Sequence, residues 1–152
     1  MDTQRQQLKE YLSKVPNPTS LTLTFKYSCD GMMVDEIVTS RNIRHFVNVL
    51  HQRLFGKRYT RFKSVKLKIV PIVELNKRNR FHTHITLEKP THLTTTEFYS
   101  HLRESWRKTK YGDEHIHLQS TYDIDGWTDY ILKEKTKPTS VMNSVDWDNV
   151  NI

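Results

Sequence analysis

The sequence predicts an α+β domain, a central and largely antiparallel sheet of about five strands flanked by helices. Three observations carry this prediction. Residues 65–74 and 81–88 alternate apolar and polar side chains with the period of a strand, and they lie close enough to pair as a hairpin. Apolar stripes with helical spacing alternate along the chain with those strands, which places helices on one face of the sheet. The chain has 152 residues, 36% of them hydrophobic and 11% aromatic, enough for one core and too short for two catalytic domains.

The elements follow in order. Residues 3–13 form a short helix with Leu8, Tyr11 and Leu12 on one side, ended by Pro16 and Pro18. LTLTFKY at 21–27 is rich in Thr and apolar residues and forms a strand, followed by a turn at Cys29-Asp30-Gly31. Ser40 caps a helix that runs to Leu54, carries Ile43, Phe46, Val47, Leu50 and Leu54 as one stripe, and stops at Gly56. In VKLKIVPIVE at 65–74, Val65, Leu67 and Ile69 oppose Lys66 and Lys68, with a bend at Pro71. In FHTHITLE at 81–88, Phe81, Thr83, Ile85 and Leu87 share one face, and His82, His84 and Thr86 share the other. Thr94 and Glu97 make a capping box for a helix bearing Phe98, Leu102 and Trp106. HIHLQS at 115–120 is a further strand, and Asp125 caps a last helix over 126–135. Pro138 ends the folded part, which gives a domain over 1–137 and a flexible tail over 138–152.

Charge and composition narrow the function. The formal net charge is +7, and residues 41–80 hold twelve Lys and Arg against one acid, Glu74. Aromatic residues interleaved with that block (Phe46, Phe55, Tyr59, Phe62 and Phe81) favour a folded, phosphate-facing surface over a merely solvated one. No apolar run reaches the roughly 20 residues of a membrane helix, and the first residues lack the apolar core of a signal peptide. The single cysteine, Cys29, fits a reducing compartment. A soluble intracellular protein is expected, with no membrane partner and no small-molecule cofactor. The GxxxxGK[ST] loop of nucleoside triphosphatases is absent.

Two constellations carry chemistry. His82 and His84, two apart on a strand, point the same way, and Glu74 on the preceding strand can supply a carboxylate. Two imidazoles and one carboxylate suit Mn²⁺ or Mg²⁺ when water or phosphate oxygens fill the remaining positions. His115 and His117 form a rival pair beside Glu114, and spacing alone does not separate the two. In GWTDYILK at 126–133, Tyr130 and Lys133 lie three apart on one helical face, while Trp127 and Ile131 can anchor the helix. A phenol has a pKa near 10, so a nucleophilic tyrosine needs cationic neighbours or a base.

Taken together, an LTLTFK strand, an HxH strand preceded eight residues earlier by Glu, and YxxK in a late helix occur in that order. This set resembles the three-motif pattern of rolling-circle replication initiators, the HUH endonucleases with one catalytic tyrosine. It most resembles the Rep nuclease domains of small circular single-stranded DNA viruses and of related plasmids and phages. The resemblance spans residues 20–135. It implies an RRM-like HUH nuclease fold and a site-specific single-stranded DNA endonuclease that also joins strands. It implies Glu74, His82 and His84 as ligands of Mn²⁺ or Mg²⁺, with His115 and His117 left as part of a structural strand. It implies Tyr130 as the nucleophile that forms a 5′-phosphotyrosine, with Lys133 orienting the phosphate or lowering the tyrosine pKa; Lys135 or Lys137 serves if the register differs. The basic stretch would hold single-stranded DNA and an origin stem-loop, with Arg58, Tyr59, Arg61, Lys66, Lys68, Lys77, Arg78 and Arg80 as contacts. The resemblance also implies a helicase acting in trans, or that this chain is only the nuclease part, and host cytoplasm or, for a eukaryotic virus, the nucleus. Two features depart from the pattern: Thr83 stands where the HUH motif usually has a hydrophobic residue, and Leu23-Thr24-Phe25 replaces a Phe-Thr-Leu-like core. A single-domain HUH transposase and a non-catalytic nucleic-acid-binding module are the alternatives.

Overall fold

Strand β1 (Pro18–Phe25) is the hub of the sheet, pairing antiparallel with β5 (Phe81–Glu88) on one side and β6 (Gly112–Ser120) on the other. The computed structural model describes residues 3–62, 65–120, 123–134 and 141–152. Strand β4 (Ile69–Leu75) pairs antiparallel with β5, so the strand order is β4-β5-β1-β6. The main sheet therefore has four strands rather than about five. A separate two-stranded hairpin, β2 (Ser28–Cys29) and β3 (Met32–Met33), flanks the turn read at Cys29-Asp30-Gly31. Asp30 and Gly31 turn that hairpin with φ of 52° and 76°, the left-handed geometry that an Asp-Gly pair favours.

Helices cover both faces of the sheet, where the sequence reading places them on one. On one face lie α2 (Glu36–Phe55) and α4 (Thr95–Arg107). There Leu21, Leu23 and Phe25 of β1 and Ile85 and Leu87 of β5 meet Ile43, Phe46, Phe98, Leu102 and Trp106. Trp106 is fully buried, with its ring edge-on to Phe25 at 5.0 Å and to Phe46 at 5.6 Å. Each such side chain contributes about 1.5–3 kcal/mol by leaving water. On the other face, α1 (Thr3–Leu12) and α5 (Ile124–Glu134) place Leu8, Leu12, Trp127 and Ile131 against Val70 and Ile72 of β4. Because β-strand side chains alternate, β4 supplies both cores, Ile69 facing the first and Val70 and Ile72 the second.

Local chemistry explains where boundaries differ from the sequence reading. Helix α2 begins four residues before Ser40, because Asp35 is the cap and its carboxylate accepts from the Val38 N–H at 2.8 Å. Strand β4 begins at Ile69, since the N–H groups of Leu67 and Lys68 donate to His51 Nε2 and Glu88 Oε1, both at 2.9 Å. Strand β6 begins at Gly112, where a Cβ would collide with the Trp106 carbonyl. Asp123, not Asp125, accepts from the first turn of α5, at 3.1 Å from the Gly126 nitrogen. The capping box of Thr94 and Glu97 is present as read.

Residues 141–152, read from sequence as part of a flexible tail, lie along the outer edge of β4. Ile69 and Asn151 exchange backbone hydrogen bonds of 2.7 and 2.9 Å, Asp146 N–H donates to the Pro71 carbonyl at 2.9 Å, and Val145 is buried in the second core. Pro71 has no N–H to offer this edge, which is where a strand tolerates proline. Among the described residues, no helix is long and apolar enough to cross a membrane.

Candidate active site

The face of β5 that carries His82, His84 and Thr86 looks toward α5. Glu74 stands opposite His82 across the β4–β5 ladder, and Thr22 of β1 stands opposite His84 on the other side. Cross-strand partners share a face, so the hairpin register brings the three ligands together. One ligand atom from each of Glu74, His82 and His84 lies within 4.8 Å of the others. His82 Nε2 is 3.4 Å from Glu74 Oε1, and His84 Nε2 is 3.3 Å from Glu74 Oε2. His84 Nδ1 lies 3.1 Å from the Thr22 hydroxyl.

Two observations bear on whether these residues could hold a metal ion. His84 is only 1% exposed, and the polar group that its buried Nε2 faces is the Glu74 carboxylate, 3.3 Å away. Burial pushes the Glu74 carboxyl up, but the two adjacent imidazoles outweigh that and hold it below the usual carboxylate range, in its ligand form. Among the described residues this is the one group of His, Cys, Asp or Glu side chains that could hold an ion. The rival pair does not join it: His117 is exposed on β6, opposite Thr22, with β1 between it and His84.

Tyr130 comes to the same place. Its ring is edge-on to His84 at 5.6 Å between centroids and stacks on Trp127 at 5.4 Å and 12°. Trp127 is buried, and its indole N–H donates to the Thr86 hydroxyl at 2.9 Å, which pins α5 to the strand that bears the histidines. Ile131 anchors the next turn in the core. From outside, α1 grips the helix through charge: Arg5 bonds Asp129 at 2.7 Å and Asp125 at 3.2 Å, and Lys9 meets Asp125 at 2.8 Å. Tyr130 is 44% exposed, so its ring meets both His84 and solvent. Lys133 is exposed one turn further along, and its charge lowers the Asp129 pKa alongside the stronger pull of Arg5. Lys135 and Lys137 lie outside the described residues.

The basic residues do not all converge on this face. Arg58 and Arg61 are exposed on α3 (Lys57–Arg61), which follows α2 in the opposite layer. Tyr59 is half-buried there, stacked on His51 at 4.8 Å with its hydroxyl donating to Asn48 at 2.6 Å, and burial pushes the phenol pKa up. Lys66 is exposed and Lys68 half-buried just before β4. Lys77, Arg78 and Arg80 belong to the β4–β5 turn, at the end of the hairpin next to Glu74 and His82. Arg80 is already engaged, donating to the Phe25 carbonyl at 2.8 Å and to Asp113. A groove of about 820 Å³ beside Glu74, between α2 and residues 143–148, carries Arg41 and Arg44 but also Glu36, Asp146 and Asp148. With Glu74, its acids outnumber its bases, so it does not extend a polyanion surface.

Sequence reasoning missed Thr22 and the α1 clamp. The alternating threonines of LTLTFK were the available signal for the first, since they place Thr22 and Thr24 on the face away from Leu21 and Leu23. The i, i+4 pair of Arg5 and Lys9 facing the i, i+4 pair of Asp125 and Asp129 carries no signal until the two helices are known to touch. Comparison of the chain with protein-family models, curated proteins and solved structures finds no match.

Proposed function

We propose that the chain is a metal-dependent single-stranded DNA endonuclease and strand-joining enzyme of the HUH type with one tyrosine, acting as an initiator of rolling-circle replication. One observation carries the reading: the Glu74, His82 and His84 ligand atoms within 4.8 Å of one another, with the Tyr130 ring 5.6 Å from that of His84. A metal ligand set, a phenol at its edge and an open side are the parts that a tyrosine transesterase needs.

Glu74, His82 and His84 would hold Mn²⁺ or Mg²⁺, which when bound neutralises charge on the scissile phosphate. Thr22 fixes the His84 ring so that Nε2 faces the ligand group. Trp127 and Ile131 hold α5 so that Tyr130 stands at the border of that group. The Tyr130 oxygen attacks phosphorus, its proton passing to solvent, while the bond from phosphorus to the 3′ oxygen breaks and that oxygen takes up a proton. The products are a free 3′-OH and a 5′-phosphotyrosine. The phosphodiester energy is conserved, so attack by a 3′-OH reverses the step and joins strands without a nucleotide cofactor. Lys133 is the cation available on the same helix to steady the phosphate. The substrates would be single-stranded DNA and an origin stem-loop, opened by a helicase in trans.

The test is incubation with a randomised single-stranded oligonucleotide pool and Mn²⁺, followed by a denaturing gel. A covalent protein–DNA adduct is expected with the native chain and is absent with Tyr130→Phe, which still binds the DNA. An adduct that persists in Tyr130→Phe would remove Tyr130 from the mechanism.

A further inference from the structure

The end of the sheet nearest Glu74 and His82 carries an aromatic side chain that neither core uses. Tyr27 follows β1 by two residues and is 45% exposed. Its backbone is fixed from both sides: Lys26 N–H donates to the Tyr111 carbonyl at 2.8 Å, and the Tyr27 carbonyl accepts from Val34 N–H at 3.2 Å. Its ring is braced as well, with the Arg80 guanidinium 4.9 Å from the centroid. Arg80 is itself held by the Phe25 carbonyl and Asp113, and the turn that carries it is closed by the Asn76 side chain, which accepts from Arg78 and Arg80 N–H groups at 2.9 and 3.0 Å. An exposed aromatic ring is normally a loss of buried area, and here the protein spends a tied arginine to keep one in place.

The surroundings identify what such a ring would receive. Lys26, next to it in the chain, and Lys77 and Arg78, in the turn that carries Arg80, are exposed, which favours a phosphate backbone. Thr24, the last residue of β1 paired with β5, is opposite His82, so Tyr27 lies just beyond the end of β1 that borders Glu74 and His82. A rigid aromatic face among cations is the arrangement that holds an unpaired base by stacking while its phosphates meet the charges. We infer that Tyr27, braced by Arg80, is a base-stacking platform for single-stranded DNA flanking the phosphate at the Glu74, His82 and His84 site. This rests on the proposed nuclease reading for its ligand, but not on cleavage.

The experiment is therefore a binding titration without metal. A fluorescein-labelled 20-nucleotide oligothymidylate is titrated in EDTA with the native chain, Tyr27→Leu, Tyr27→Phe and Tyr27→Trp. One stacked base is worth about 1–3 kcal/mol, or about 5- to 150-fold in affinity. Tyr27→Leu is expected to lose about tenfold or more, whereas Tyr27→Phe and Tyr27→Trp stay within about threefold of native. In Tyr27→Trp the introduced indole is expected to be quenched as oligonucleotide binds, a readout that a folding defect does not mimic. Native affinity in Tyr27→Leu, or an unquenched indole in a Tyr27→Trp protein that binds, would overturn the platform even if nicking is observed. Tyr27-dependent binding without any covalent adduct would keep the platform and overturn the nicking reading.

Discussion

His84 Nδ1 lies 3.1 Å from the Thr22 hydroxyl, and this contact leaves Nε2 as the ring atom that faces Glu74. With Nε2 given to a cation, Nδ1 carries the proton and donates it to the Thr22 oxygen. Outer-shell partners of this kind set ring orientation, and their loss typically weakens metal binding about 10- to 100-fold. Thr22→Val keeps the shape and removes the acceptor. It is expected to weaken Mn²⁺ binding by about tenfold or more, read by isothermal titration calorimetry. Thr22→Ser should bind nearly as the native chain does. Equal affinity in Thr22→Val would show that the hydroxyl does not position the ring.

Metal binding should also be legible as stability. An ion that binds the folded chain alone adds about 2.7 kcal/mol at a hundred times its dissociation constant. For a domain of this size that raises the thermal midpoint by roughly 5–10 °C. The rise is expected with Mn²⁺, should disappear in Glu74→Gln, His82→Ala and His84→Ala, and should survive in His115→Ala. Retention in all three ligand variants would place the ion elsewhere.

Acid should destabilise the protein through His51. Burial, helped by the nearby Lys66 charge, lowers its pKa from 6.5 to about 4. The ring is 2% exposed and accepts from the Leu67 N–H at 2.9 Å, so the folded state keeps it neutral. The unfolded chain binds a proton below pH 6.5 that the folded chain does not take up until about pH 4. Stability is therefore complete above pH 6.5 and falls as the pH drops towards 4, by about 3 kcal/mol at most. His51→Gln retains an acceptor and cannot titrate. Urea midpoints measured from pH 7 to pH 4 should fall less in His51→Gln than in the native chain, and parallel curves would contradict the assignment.

Deleting residues 141–152 should expose the outer edge of β4. It removes the buried Val145, worth about 1.5–3 kcal/mol, and the hydrogen bonds at Ile69 and Pro71. An uncovered edge strand pairs with other chains. The truncated chain is expected to have a lower thermal midpoint and to elute early from a sizing column. A monomer of native midpoint would show that this segment is not part of the folded unit.

The ligand group was legible because strands have a fixed period. Given strands at 74 and 82–84, their side chains can only meet on one face, and the choice between His84 and His117 needed the register alone. The capping box at Thr94 was legible because it is local. What depends on distant partners was not. Ser40 has the composition of a cap but bonds Asp146, 106 residues away. The last dozen residues look like a tail because they lack a periodic stripe, yet their backbone groups find the edge left by Pro71. A second helical face was hidden because Leu8 and Leu12 give no hint of which side of the sheet they will cover.

The pairing of Asn151 with Ile69 also decides where an appended cargo would sit. Ile69 is five residues from Glu74 along β4, about 16 Å of strand. A reporter fused after Ile152 would depart from that remote corner and leave the rim beside Tyr27 clear. One fused ahead of α1 would instead press on the helix that grips Asp125 and Asp129. For labelling or immobilisation, a junction after Ile152 is the one that spares the end of the sheet carrying Glu74 and His82.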